Sequence, residues 1–142
     1  MSRDYDPNFK QENTLFLVGG KVLIQKDGKI LLLQRSEKSG RGGEWSFPGG
    51  AVENEDAIEG IQREIDEELV IKVRNIHPFT VRTYFEKKPT IIIGYVCDYE
   101  SGEIDLNWEH DDFKWLNPDE ALKLPLTPDA KFLVEEYKNY ER

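Results

Sequence analysis

The chain has 142 residues, 38% of them apolar and 33% charged, with a formal net charge of −9. That length closes one hydrophobic core without staples, and the negative balance argues against the broad basic face that a nucleic-acid polymer requires. No stretch reaches the length of a membrane span and the N-terminal residues form no apolar leader, so a soluble, cytoplasmic protein with no membrane partner is expected.

No repeat or low-complexity linker interrupts the chain, which reads as a single domain over residues 1–142. Thr14–Gln25 ("TLFLVGGKVLIQ") has the pattern of a strand, with a glycine pair that signals a bulge or close packing. "KDGK" is a turn, and Ile30–Arg35 returns from it as a buried strand. "SEKSGRGG" is a basic, glycine-containing loop. A helix then runs from about Asp56 to Leu69. Two long β-type runs follow, "IKVRNIHPFTVRTYFE" and "PTIIIGYVCDYE", joined by a turn at Lys87-Lys88-Pro89. The lone Cys97 lies in the second run, where an inert core thiol in a reducing compartment is expected. "DDFKWLN" is a short strand and "NPDEALKL" one or two helical turns. "TPDAKFLVEEYKNY" is a closing helix with Thr127 as N-cap and Pro128 at its first position. The pattern is α+β, a mixed β-sheet flanked by helices.

The first helix carries the chemistry. Ala57, Ile58, Ile61, Ile65 and Leu69 are spaced as one apolar face. Glu64, Glu67 and Glu68 stand at i, i+3 and i+4, so they converge on an adjoining patch. With Ile58 at zero and roughly 100° per residue, they fall at about 180–280°, beside a core stripe running from about 260° to 20°. Glu68 therefore overlaps the edge of the core, where carboxylate repulsion is strongest. A solvated face is one account of this acidic cluster. The other is a hard divalent cation with oxygen ligands, for which Mg2+ is the natural ion and Mn2+ an alternative. Arg63 has Glu59 or Glu67 within pairing reach and so can orient the cluster. The glycines Gly49 and Gly50 precede the helix and let backbone approach the ion and its phosphates without Cβ interference.

Here the sequence resembles the Nudix family, whose box reads G-x5-E-x7-R-E-U-x-E-E-x-G-U, U being apolar. Counted from Gly49, Glu55 and then "REIDEE" (Arg63–Glu68) match it, and "EWSFPGGAVE" is similar to the usual approach. The match covers about 25 residues directly. Two departures stand out. "AVEN" lacks the glycine usual before that glutamate and is shorter than the common loop, and Val70 replaces the late glycine. Because a β-branched residue resists positive φ, the helix is expected to end without a left-handed cap.

The resemblance implies a Nudix-type α/β/α sandwich. It also implies hydrolysis of a nucleoside diphosphate linked to another moiety, such as a nucleoside triphosphate or ADP-ribose, with water attacking phosphorus at a carboxylate-bound metal centre. By position, Glu64, Glu67 and Glu68 are implied metal ligands, one also the base. The Gly49 carbonyl is a further candidate ligand, Arg63 orients the cluster, and Gly50 and Arg35 are candidate substrate contacts, with a surface salt bridge the alternative for Arg35. Some relatives add a loop carboxylate; Glu109 is the choice by spacing to Trp115, ahead of Asp111 and Glu103. His110 reads as an exposed loop residue. Phe79, Tyr84 and Phe85 are candidates for base stacking, and Thr127 stands where oxidised-dGTP hydrolases of the family carry Asn. The expected partner is a small nucleotide, bound by a monomer or homodimer. The rival reading is a non-catalytic nucleotide- or metal-binding module on the same fold, which would be expected to lack the box glutamates.

Overall fold

The computed structural model describes residues 4–140. Its strands are β1 (Leu17–Lys26), β2 (Lys29–Arg35), β3 (Trp45–Ser46), β4 (Gly49–Ala51), β5 (Lys72–Tyr84), β6 (Thr90–Ser101) and β7 (His110–Leu116). Its helices are α1 (Ala57–Glu68), α2 (Pro118–Ala121) and α3 (Pro128–Tyr140), with a short 3-10 turn at Glu37–Ser39. Among the described residues no helix is long and apolar enough to cross a membrane.

The seven strands form one mixed sheet in the order β3-β2-β1-β6-β5, with β4 also on β1 and β7 also on β2. The β1–β2 hairpin closes through Asp27 and Gly28, both at positive φ, as a two-residue turn demands. One edge of β1 pairs in parallel with β6 from Leu17 to Gln25. Its other edge is divided: Gln25 and Lys26 pair with β2, whereas Gly19, Gly20 and Lys21 pair with β4. The division carries the glycine strand β4 beside the first half of β1, and the candidate site lies there.

Both faces of the sheet are covered, which is why "VLI" and "ILLL" read as unbroken apolar runs. Val22, Ile24, Leu31, Leu33, Tyr95 and Cys97 pack against Ile61, Ile65 and Leu69 of α1. The alternate residues Leu23, Ile30, Leu32 and Val96 pack with Phe47, Leu133, Val134 and Tyr137 on the α3 side. Each such side chain contributes about 1.5–3 kcal/mol. The result is the α+β sandwich expected.

Some boundaries differ from the sequence pattern. β1 starts at Leu17 rather than Thr14, and β3 and β4 are strands too short to show a period. The Gly19-Gly20 pair does signal close packing, since a Cβ on Gly20 would lie 2.7 Å from Ile61 Cδ1. Ile58 is 41% exposed, so the buried stripe begins only at Ile61. The end of α1 also departs from expectation: Val70 adopts φ +60° and donates its N–H to the Ile65 carbonyl. Leu69 and Ile71 on either side are both buried, and turning the chain to bury both leaves Val70 pointing outward, 61% exposed, in a left-handed conformation.

Candidate active site

The site forms where the C-terminal end of α1 meets β4 and the start of β7. Burial of Ile61, Ile65 and Leu69 rolls the adjoining shoulder of the helix inward and takes Glu68 with it, leaving that carboxylate 2% exposed. The Gly49 N–H donates to Glu68 Oε2 at 3.0 Å. Gly49 itself has φ +150°, and a Cβ there would lie 2.0 Å from the Gly20 carbonyl oxygen, so no other residue fits. A Cβ on Gly50 would meet Glu64 Oε1 at 2.6 Å. The glycine pair therefore lets β4 lie directly on two of the three glutamates.

Arg63 holds the outer side. Its Nε and Nη2 donate to Glu55 at 3.0 and 2.7 Å, and Nη1 reaches Glu64 at 3.1 Å and Glu67 at 3.3 Å. The expected partner Glu59 has no part in this network; Glu55 takes its place, and the Arg63 hydrogen bonds hold the Glu55 carboxyl below its ordinary range. Glu67 remains 54% exposed. Glu64 and Glu68 thus face inward, and Glu67 leans on Arg63 at the rim.

The loop before β7 completes the cluster. Asn107 donates to the Glu67 carbonyl and accepts from the Glu109 N–H, tying the loop to the end of α1. The Glu109 carbonyl accepts from the Ser36 N–H and the Ser39 hydroxyl, each at 2.9 Å. Glu68, Glu109 and His110 then offer one ligand atom apiece, all within 4.8 Å of one another. Of the competing loop carboxylates, Asp111 is exposed and Glu103 lines a separate cavity with Lys26, Tyr99 and Trp115. His110 is not the exposed loop residue expected. It is buried, with Nδ1 at 3.7 Å from Glu68 Oε1 and without a hydrogen-bond partner among the described residues.

Electrostatics mark this cluster. Burial pushes the Glu68 carboxyl up to about 8; Glu64 and Glu109 add to the shift, while Lys21 and the Gly49 amide oppose it. Glu64 is raised for the same leading reason, with Arg63 opposing and Glu67 and Glu109 reinforcing. Burial lowers His110 to about 4, helped by Lys21 and Arg35, so the imidazole is neutral near pH 7 and forms no ion pair with Glu68. A neutral imidazole with an orphaned nitrogen, set beside carboxylates that resist ionisation, suits a divalent cation, whose charge reverses the repulsion. Glu68, Glu109, His110 and the adjoining Glu64 are the residues able to hold one.

Arg35 ends β2 opposite His110. Its Nε donates to the Gly40 carbonyl at 2.6 Å and Nη2 to that of Ser39, so it organises the loop while lining a cavity of about 370 Å³ with Lys21, Ser46, Tyr84, Thr127 and Asp129. Thr127 also caps α3 by accepting from the Ala130 N–H. Of the aromatic candidates only Tyr84 lines this cavity. Phe79 packs edge-on against Tyr137, and Phe85 packs against Phe16 at the surface. Lys21 and His110 escape a motif-based reading; the first is a lone cation inside the apolar run "GGKVLIQ", the one signal the sequence offers for it.

The α+β sandwich is shared with known proteins. The profile of the NUDIX domain matches residues 18–137, and the chain belongs to the NUDIX family of hydrolases. It is 34% identical over 123 residues to a CTP pyrophosphohydrolase of Escherichia coli (strain K12), a match covering 82% of this chain and 87% of that protein. A nucleoside triphosphatase NudI of Escherichia coli O139:H28 is 32% identical over 118 residues, covering 73% and 84%. The crystal structure of a MutT NUDIX hydrolase from Burkholderia pseudomallei superposes with a TM-score of 0.76 at 28% identity, covering 86% of this chain and 98% of that one.

Proposed function

We propose that this protein is a divalent-cation-dependent pyrophosphohydrolase of nucleoside triphosphates, with Mg2+ as its ion. The observation that carries the reading is the Glu68 carboxylate: buried, fixed by the Gly49 amide, and grouped with Glu109 and His110. Burial resists ionisation of that carboxyl beside Glu64 and Glu109, and a divalent cation offsets the cost. Glu64, Glu68 and Glu109 would hold the cation with His110, and Arg63 keeps Glu64 and Glu67 oriented by charge-assisted bonds. When bound, the ion neutralises charge on the phosphate oxygens and acidifies water. The proton released as water attacks phosphorus passes to a carboxylate of the cluster, for which Glu64, Glu67 and Glu68 are the candidates. Arg35 and the cavity beside it receive the remainder of the nucleotide.

The similar proteins named for CTP and for nucleoside triphosphates direct the substrate class. The test is a panel of ribo- and deoxynucleoside triphosphates, ADP-ribose and dinucleoside polyphosphates with Mg2+, in labelled water. Release of pyrophosphate and a nucleoside monophosphate from one or more triphosphates supports the reading. Tight binding of a nucleotide with no turnover across the panel would favour a sensor module instead.

A further inference from the structure

The structure holds a cation that the family pattern does not account for. Lys21 pairs with Gly49 across β1 and β4, and the amide of that same Gly49 binds Glu68. The half-buried Lys21 ammonium makes one hydrogen bond among the described residues, a long one, 3.4 Å to the Phe47 carbonyl. An ammonium has three donors, so most of its capacity is unspent. Lys21 also lines two cavities: the one of about 370 Å³ with Arg35 and Thr127, and another of about 250 Å³ with Gly20, Gly50 and Ile92. The charged groups whose fields act on it are Glu68 foremost, then Arg35, Asp129 and Glu64. Lys21 and Arg35 repel one another beside the cavity that both line, and an anion entering it would relieve that repulsion.

We propose that Lys21 is a substrate-binding residue: its ammonium lies beside the glutamate cluster, where it competes with a divalent cation, and it binds a non-bridging phosphate oxygen of the nucleotide when the cation is present. This rests on reading the glutamate cluster as a metal centre. It makes a paired demand that a merely structural lysine does not. Removing the charge relieves the cluster of a competing cation, so divalent affinity rises. The same change deprives the phosphate of a partner, so nucleotide binding weakens.

The experiment compares wild type, Lys21→Met, Lys21→Arg and Glu68→Gln. Mn2+ alone is titrated into each metal-free protein and followed by electron paramagnetic resonance. KM and kcat are then measured at saturating Mg2+ with whichever triphosphate wild type turns over best. For Lys21→Met, Mn2+ binds about threefold tighter and KM rises about tenfold, the loss of one charge-assisted phosphate contact. Lys21→Arg keeps the charge and stays within about threefold of wild type on both readouts. Should Lys21→Met fold poorly, Lys21→Gln makes the same neutralisation with a polar end and is held to the same two shifts. Unchanged or weaker Mn2+ binding in the neutral variants, or an unchanged KM, overturns the proposal. If Mn2+ binds wild type no better than Glu68→Gln, the metal centre itself fails and the role of Lys21 falls with it.

Discussion

At its N-terminal end, α1 satisfies its own backbone. The Asp56 carboxylate accepts from the Ile58 and Glu59 amides, and Glu59 lies in the first turn, where the helix dipole favours negative charge. At its C-terminal end every local preference is reversed. Glu64, Glu67 and Glu68 crowd residues 64–68 with no basic residue in the last turn, against the dipole. One of these carboxylates is buried, and the chain leaves through a valine at positive φ. Both ends belong to one helix on one core, so neither composition nor packing accounts for the difference. The end that gains nothing for itself is the end set toward the glycine strand and the Glu109–His110 loop. Local inconsistency of this kind is where function is expected to reside.

If that contrast reflects a metal centre, its largest consequence is chelation: dialysis against EDTA reduces turnover to the no-enzyme background, and added Mg2+ restores it. Full turnover in excess chelator contradicts the assignment. The next effect is in stability without metal. Folded Glu68 keeps its proton up to about pH 8, whereas an unfolded carboxyl releases it near 4.5. The folded state therefore binds the extra proton between these values, and the stability it confers is lost as pH rises through them. His110 acts in the opposite sense, but only between about 4 and its ordinary 6.5. Lys21, lowered from 10.5, also opposes it at alkaline pH. Glu68→Gln retains His110 and Lys21, so in EDTA its advantage over wild type grows by roughly 1 kcal/mol between pH 6.5 and 8. Urea melts at the two pH values measure it; a constant difference shows that Glu68 is ionised throughout.

The well-capped end makes the converse prediction. Asp56→Ala costs about 1 kcal/mol in the same melts and leaves kcat near wild type. A stability loss accompanied by a hundredfold fall in turnover would erase the functional distinction between the two ends. The smallest effect belongs to Val70→Gly. Glycine relieves the left-handed strain, and its greater unfolded-state entropy offsets part of the gain, for a net stabilisation of about 0.5 kcal/mol. Destabilisation by several kcal/mol would show that the exposed valine anchors something.

Much of this contrast was legible in the sequence. The 3.6-residue spacing of Ile61, Ile65 and Leu69 located α1, and the angular position of Glu68 beside that stripe anticipated its burial. The same projection set Glu67 farthest from the core stripe, and Arg63, already within pairing reach, holds it at the rim. β3 and β4 are too short for any period, so the glycines announced a close approach but not the strand they form. His110 carried no signal: a histidine is buried or exposed according to the register of β7 on β2, a tertiary fact. The end at Val70 was misjudged because propensity was weighed without the burial of Leu69 and Ile71, which overrides it.

The central claim is that the C-terminal glutamates of α1, and not its acidity in general, form the active site. The direct measurement is kcat/KM with the best triphosphate and Mg2+ for two chemically identical changes, Glu68→Gln and Glu59→Gln. Loss of an anionic ligand at Glu68 lowers it by roughly 10² or more, about 2.7 kcal/mol of transition-state stabilisation, while Glu59→Gln stays near wild type. Equal turnover by the two variants would contradict the account.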